Sequence, residues 1–130
     1  MKNIEYKTDL CIIGGGMAGL CCGIAAARHG IRVVIIHDRP VLGGNASSEI
    51  RMWICGSHGK DNRETGIIEE IMLENFYQNT ALKFPIWDSV LYEKAIAEEN
   101  LTLLLNSSCL DCAMNGSSIE SVKAWQSNAE

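Results

Sequence analysis

The chain reads as an α/β domain built on a parallel sheet, and three observations carry that reading. Residues 10–13 and, after Arg32, the rest of 32–36 (Arg-Val-Val-Ile-Ile) are short apolar runs of the kind that become strands buried on both faces. Between them, residues 17–29 are rich in Ala, Ile and small side chains and stop at Gly30, a natural residue just past a helix C-terminus. Gly14, Gly15, Gly16 and Gly19 join the first strand to that helix in the pattern G-x-G-x-x-G, so strand, turn, helix and strand make one βαβ unit.

Each part of the turn has its own task. Gly14 permits the tight turn, Gly16 lets a pyrophosphate approach the backbone, and Gly19 lets helix and strand pack closely. The amides that open the helix, Met17 and Ala18 among them, have no acceptor inside it and lie at its positive dipole end, which suits an anion. After the second strand, Asp38 falls slightly beyond the roughly 20-residue offset expected of a ribose-binding acid. An acid there accepts from ribose hydroxyls and repels a 2′-phosphate, which disfavours NADP. The glycine pattern by itself is weak, because such loops serve many turns. Its agreement with both strands, the helix and the acid predicts a Rossmann-like dinucleotide-binding domain.

The run Asp9-Leu-Cys-Ile-Ile-Gly-Gly-Gly-Met-Ala-Gly, followed by Val33-Val-Ile-Ile-His-Asp-Arg-Pro-Val-Leu-Gly-Gly-Asn-Ala-Ser-Ser, resembles the start of FAD-dependent oxidoreductases of the glutathione-reductase-like superfamily. Within it, the likeness is to the group that includes heterodisulfide reductase A-like flavoproteins. It is strongest over residues 8–59 and continues more loosely to the end. The resemblance implies FAD as cofactor, with the Leu-Gly-Gly segment along its flavin side. Gly43 and Gly44 are the contacts so implied, while Asn45, Ser47 and Ser48 offer hydrogen bonds, Asn45 and Ser48 being taken as site candidates. Relatives carry Glu or Asp as the first residue after the second strand. Here that slot holds His37 with Asp38 beside it, so His37, Asp38 or both meet the ribose. Arg39 is a candidate for phosphate.

The implied activity is electron or hydride transfer through flavin to an unknown small-molecule substrate. No catalytic side chain is named, since in such enzymes the cofactor carries the redox step. An NAD-dependent dehydrogenase would share the fingerprint and acid, and a non-catalytic nucleotide-binding sensor would share the fold; the Leu-Gly-Gly-Asn-Ala-Ser-Ser segment favours FAD. Enzymes of this resemblance also need a later segment closing over the flavin and a substrate domain. Residues 1–130 are therefore expected to be the N-terminal part of an FAD-binding domain, with apolar surface exposed beside residues 101–105.

Composition narrows the classes further. At 130 residues there is room for one domain, and 47% apolar content supports a packed core. A net charge of −5 argues against nucleic acid or an anionic membrane as partner. No apolar run approaches the roughly 20 residues that cross a bilayer, and no secretory h-region precedes the first strand, so the cytoplasm is the expected compartment. The six cysteines then read as free thiols. Cys109 and Cys112 form a C-x-x-C, but neither a second pair nor the closely spaced run needed by an iron–sulfur cluster accompanies it.

The remaining elements follow from pattern. Residues 41–60, rich in Gly, Ser and Asn, form an irregular segment facing the cofactor. Within it, Glu49 to Ile54 alternates as a short strand or forms a helical turn, and His58 is either a proton donor near substrate or a solvent-facing loop residue. Asp61 and Glu64 resemble a capping box opening a helix to about Asn79, with Ile68, Ile71, Met72 and Phe76 as its core stripe. Pro85 breaks the chain, and Asp88 caps a second helix with Leu91, Tyr92, Ala95 and Ile96 buried. Residues 101–105 form a third parallel strand, and Asn115-Gly116 turns a hairpin between residues 107–114 and 119–126.

Overall fold

Three parallel strands, β1 (Leu10–Ile13), β2 (Val33–Ile36) and β3 (Leu101–Leu104), lie in the order β1-β2-β3 in the computed structural model, which describes residues 3–56, 62 and 64–127. Leu10 sits opposite Val33 and Val33 opposite Leu101, and the register runs unbroken to Ile13, Ile36 and Leu104. Central β2 is buried along its whole length, which is why its sequence is continuously apolar rather than alternating. α1 (Met17–Arg28) connects β1 to β2, and α2 (Gly66–Gln78) and α3 (Phe84–Ile96) connect β2 to β3. An antiparallel hairpin, β4 (Ser107–Asn115) and β5 (Ser118–Gln126), follows.

Alternation along the strands puts Val33, Ile35 and Leu101 on one face, where they join Leu20 and Ile24 of α1, Ile71 of α2, and Val90, Leu91 and Ala95 of α3 in a single core. The helix lies close to the sheet at Gly23, where a β-carbon would come within 2.6 Å of Ile35 Cδ1. Leu101 is buried and residues 102–105 are half-buried. Among the described residues both β1 and β3 are edge strands of this sheet.

The helix boundaries differ from the sequence reading for identifiable reasons. α2 opens at Gly66, after Thr65; Glu64 is outside the helix, and Asp61 lies outside the described residues. Its buried positions are Ile71 and Asn75, with Ile68 and Met72 half-buried and Phe76 exposed. α3 begins at Phe84 with Pro85 in the first turn, where the missing N–H has no helical acceptor to lose. Asp88 is thereby inside the helix rather than at its cap. Val90 joins Leu91 and Ala95 in the core, and Tyr92 and Ile96 are exposed. Asn79 fixes the turn between the two helices: its Oδ1 accepts the Lys83 N–H at 2.7 Å, and its Nδ2 donates to Lys83 O and Asn75 Oδ1, each at 2.9 Å.

Two further differences are local. Residues 49–54 form no strand; a single helical turn, in which Arg51 N–H donates to Ser47 O at 2.8 Å, opens the segment, and Met52 N–H then donates back to Asn45 O at 2.9 Å. The hairpin turns at Gly116 and Ser117, one residue later than expected, since Asn115 pairs with Ser118; Gly116 takes the positive φ of 63° that the first turn position requires.

Charge pins the helices at one end. Arg28, at the end of α1, grips Glu70 of α2 through Nη1 and Nη2 at 2.8 and 2.9 Å and reaches Glu98 beyond α3 at 2.7 Å, while Lys94 of α3 meets Glu70 at 2.9 Å. The Arg28 hydrogen bonds, followed by that of Lys94, lower the Glu70 carboxyl from 4.5 to about 2. A carboxylate held below its unfolded value stabilises the fold fully above that unfolded value and loses the contribution as pH falls towards the folded one. The network is partly exposed and therefore screened, so Glu70→Gln is expected to cost no more than about 1 kcal/mol at pH 7. The same substitution should flatten the decline in melting temperature between pH 4.5 and 2 relative to the parent; identical acid limbs would contradict the linkage.

Candidate dinucleotide site

The glycine-rich turn leaves β1 at Gly14, whose φ of 110° is open to glycine and strained for any L side chain, and whose N–H donates to Ile36 O at 2.8 Å. The next residue is held from both sides. Gly15 N–H donates to His37 Nδ1 at 2.9 Å, and Gly15 O accepts the Gly43 N–H at 2.8 Å. His37 is buried, and its Nε2 lies 3.0 Å from Val41 O. Because Nδ1 accepts, the ring proton sits on Nε2 and donates to Val41, which defines one neutral tautomer. Asp38 Oδ1 approaches Nδ1 at 3.7 Å, but a nitrogen without a proton gives it no ion pair.

The second loop is thus joined to the first by backbone. Gly43, at φ 103°, bridges to Gly16, and Gly44 lies so close that its β-carbon would come within 3.2 Å of Gly16 Cα. A short 3₁₀ turn follows, η1 (Gly44–Ala46), clamped by Ser47, whose Oγ donates to Gly44 O at 2.7 Å and accepts Glu49 N–H at 3.3 Å. Ser48 N–H donates to the buried Asp88 carboxylate at 3.0 Å, so α3 anchors the end of the loop.

These constraints leave an open, electropositive floor. Gly16 is the residue before α1, no side chain caps the helix, and no acidic residue lies in its first turn. Inside α1 the N–H groups of Met17 and Ala18 have no acceptor one turn back. Above Gly16 a β-carbon would meet nothing within 4 Å, whereas at Gly19 it would overlap the Gly14 carbonyl oxygen. The space over Gly16 at the helix N-terminus fits a pyrophosphate.

The structure brings Gly14, Gly15, Gly16, Met17, Ala18 and Gly19 together with Gly43 and Gly44. His37 faces inward beneath the turn, and Asp38 is exposed. Arg39 is exposed and 3.9 Å from Glu49 Oε2, while Asn45 is exposed on η1. His58 lies outside the described residues. Sequence reasoning missed Asp88 and the clamping role of Ser47. No local signal marks either, since both act through backbone amides of a loop whose path is set by tertiary contacts.

A family model described as FAD dependent oxidoreductase matches residues 9–130. The chain belongs to the FAD dependent oxidoreductase family. The family's cofactor is FAD. Glycerol-3-phosphate dehydrogenase 2 of Mycobacterium tuberculosis is 30% identical over 74 residues, which are 57% of this chain and 13% of that protein. Soluble pyridine nucleotide transhydrogenase of Hahella chejuensis is 44% identical over 43 residues, 33% of this chain and 9% of the other. The fold matches L-proline dehydrogenase from P. horikoshii with a TM-score of 0.59 at 14% identity, over 93% of this chain and 50% of that one. The chain therefore spans about a tenth of the length of these curated relatives and half of the solved chain. No helix among the described residues is long and apolar enough to cross a membrane.

His37→Ala would leave the Gly15 amide and Val41 carbonyl without their partner. It is expected to lower the urea-unfolding free energy by about 1–3 kcal/mol. Exposed Asp38→Ala should stay within about 0.5 kcal/mol of the parent. Equal losses in the two variants would contradict the inward role of His37.

Proposed function

We propose that this chain supplies the FAD-holding part of a flavin-dependent oxidoreductase acting on a small-molecule substrate in the cytoplasm. The observation that carries the reading is the Gly15–Gly43 link, which sets the Leu-Gly-Gly segment beside the open N-terminus of α1. The open start of α1, with the Gly16 and Ala18 amides, receives the pyrophosphate, and the helix dipole stabilises its charge. Asp38 accepts the ribose hydroxyls; both ring nitrogens of His37 are already engaged, so the histidine supports the turn instead. Gly43, Gly44 and exposed Asn45 lie along the flavin side, with Ser48 holding the loop's far end and Arg39 at its rim. Bound FAD would supply the two-electron chemistry, and the chain's own residues bind and orient it. Six free thiols accord with a reducing compartment.

In the full-length protein, Gly16→Val fills the space above the turn and should give a folded but colourless product; stoichiometric flavin in that variant would overturn the assignment. Asp38→Ala should weaken FAD by about 1–3 kcal/mol, the usual loss for a hydrogen bond to a charged group. Unchanged flavin affinity in a titration would remove Asp38 from the site.

A further inference from the structure

The turn η1 touches Gly16 with its first residue and lines a separate cavity with its last. That cavity, about 220 Å³, is walled by Trp53, Phe84, Trp87, Met72 and Phe76, with Ala46 on the side of the glycine loop. The Trp53 and Phe84 rings stand 4.9 Å apart between centroids, so part of the wall is a preformed aromatic pair. One polar group in this apolar setting has an unused hydrogen-bonding capacity.

Asn75 is 8% exposed and projects from α2 into the core of the α2–α3 pair. Its orientation follows from its neighbour. Asn79 Oδ1 must accept the Lys83 N–H, so Asn79 Nδ2 faces Asn75 and requires the Asn75 oxygen. The Asn75 NH2 group is left over and donates to nothing among the described residues. Since no completely buried side-chain nitrogen or oxygen there lacks a partner, this group opens onto space, and the space Asn75 lines is the cavity. A buried donor facing an apolar, aromatic-walled volume selects a ligand with a matching acceptor.

We propose that this cavity is a binding subsite for a small, neutral, flat apolar molecule bearing one carbonyl oxygen, which the Asn75 NH2 group receives. Its role as the substrate subsite rests on the FAD reading above, because η1 separates it from Gly16 by a single turn. Aromatic walls supply stacking and burial for one ring, and the amide fixes which end of the ligand carries oxygen. Among the described residues lining the cavity the cationic side chain is Lys83, which is exposed and whose backbone is the part committed to Asn79; Arg51 stands over the Phe84 ring at 5.9 Å.

Acetophenone and ethylbenzene have nearly the same shape and differ in the carbonyl, so they test the claim without altering the protein. Their dissociation constants would be measured by ligand-observed NMR titration on the full-length holoprotein, with FAD content read separately from its absorbance. Acetophenone is expected to bind about 2- to 12-fold more tightly, the range for one neutral hydrogen bond. Asn75→Asp keeps an oxygen for Asn79 while removing the NH2 donor, and should abolish that preference with flavin content unchanged. Met72→Trp should fill the volume and weaken both probes. Absence of binding, equal affinities in the parent, a preference that survives in Asn75→Asp, or tighter binding of benzoate than of acetophenone would each overturn the proposal. A preference seen in protein devoid of FAD would keep the cavity and defeat the FAD reading. Full flavin with no preference would defeat the cavity alone.

Discussion

Both backbone groups of Gly15 are committed, and the arrangement of the site depends on that. Its N–H is taken by the His37 ring at the end of β2, and its carbonyl by the Gly43 amide of the following loop. One residue therefore fixes the turn against the central strand and the second loop against the turn. With Gly15 tied on both sides, the start of α1 borders the open space above Gly16. The free N-terminus of α1 is thus a consequence of how its predecessor is tied down.

The rest of the molecule holds that arrangement from behind. β2 is buried from end to end, so the position of His37 after Ile36 is determined by a strand with no freedom to shift register. α3 packs Leu91 into the core and presents Asp88 to the Ser48 amide, which anchors the far end of the second loop. The Asn75–Asn79–Lys83 hydrogen bonds set the turn between α2 and α3, and the Arg28–Glu70–Lys94 network ties the opposite ends of the helices together. Each polar device acts on a loop or helix end that the apolar core alone would leave free to shift.

The parts visible in the sequence were those with local causes. β1 and β2 are unbroken apolar runs and β3 is apolar but for Thr102, α1 is framed by Gly16 and Gly30, and the hairpin announces itself within a residue by Asn115-Gly116-Ser117. The helix boundaries after residue 60 were misread because cap-type residues are chemically versatile. Asp88 looks like an N-cap, yet its carboxylate is used across space by Ser48, and Pro85 serves as a helix start rather than a break. The direction of His37 was equally illegible: a residue at the end of a strand buried on both faces has no alternation to reveal which way it points. Its partner, a backbone amide 22 positions earlier, exists only once β1 and β2 are paired.

Membership of the FAD dependent oxidoreductase family supplies the cofactor, and the open space over Gly16 is where we propose its pyrophosphate rests. The central claim is that a dinucleotide rests on two loops held together at Gly15. Hydrogen–deuterium exchange of the full-length protein, with and without FAD, tests it most directly. The account predicts that FAD slows exchange in peptides covering residues 14–20 and in those covering residues 41–47, with little change across β4 and β5. Protection of the first loop without the second, or protection confined to other parts of the chain, would contradict it.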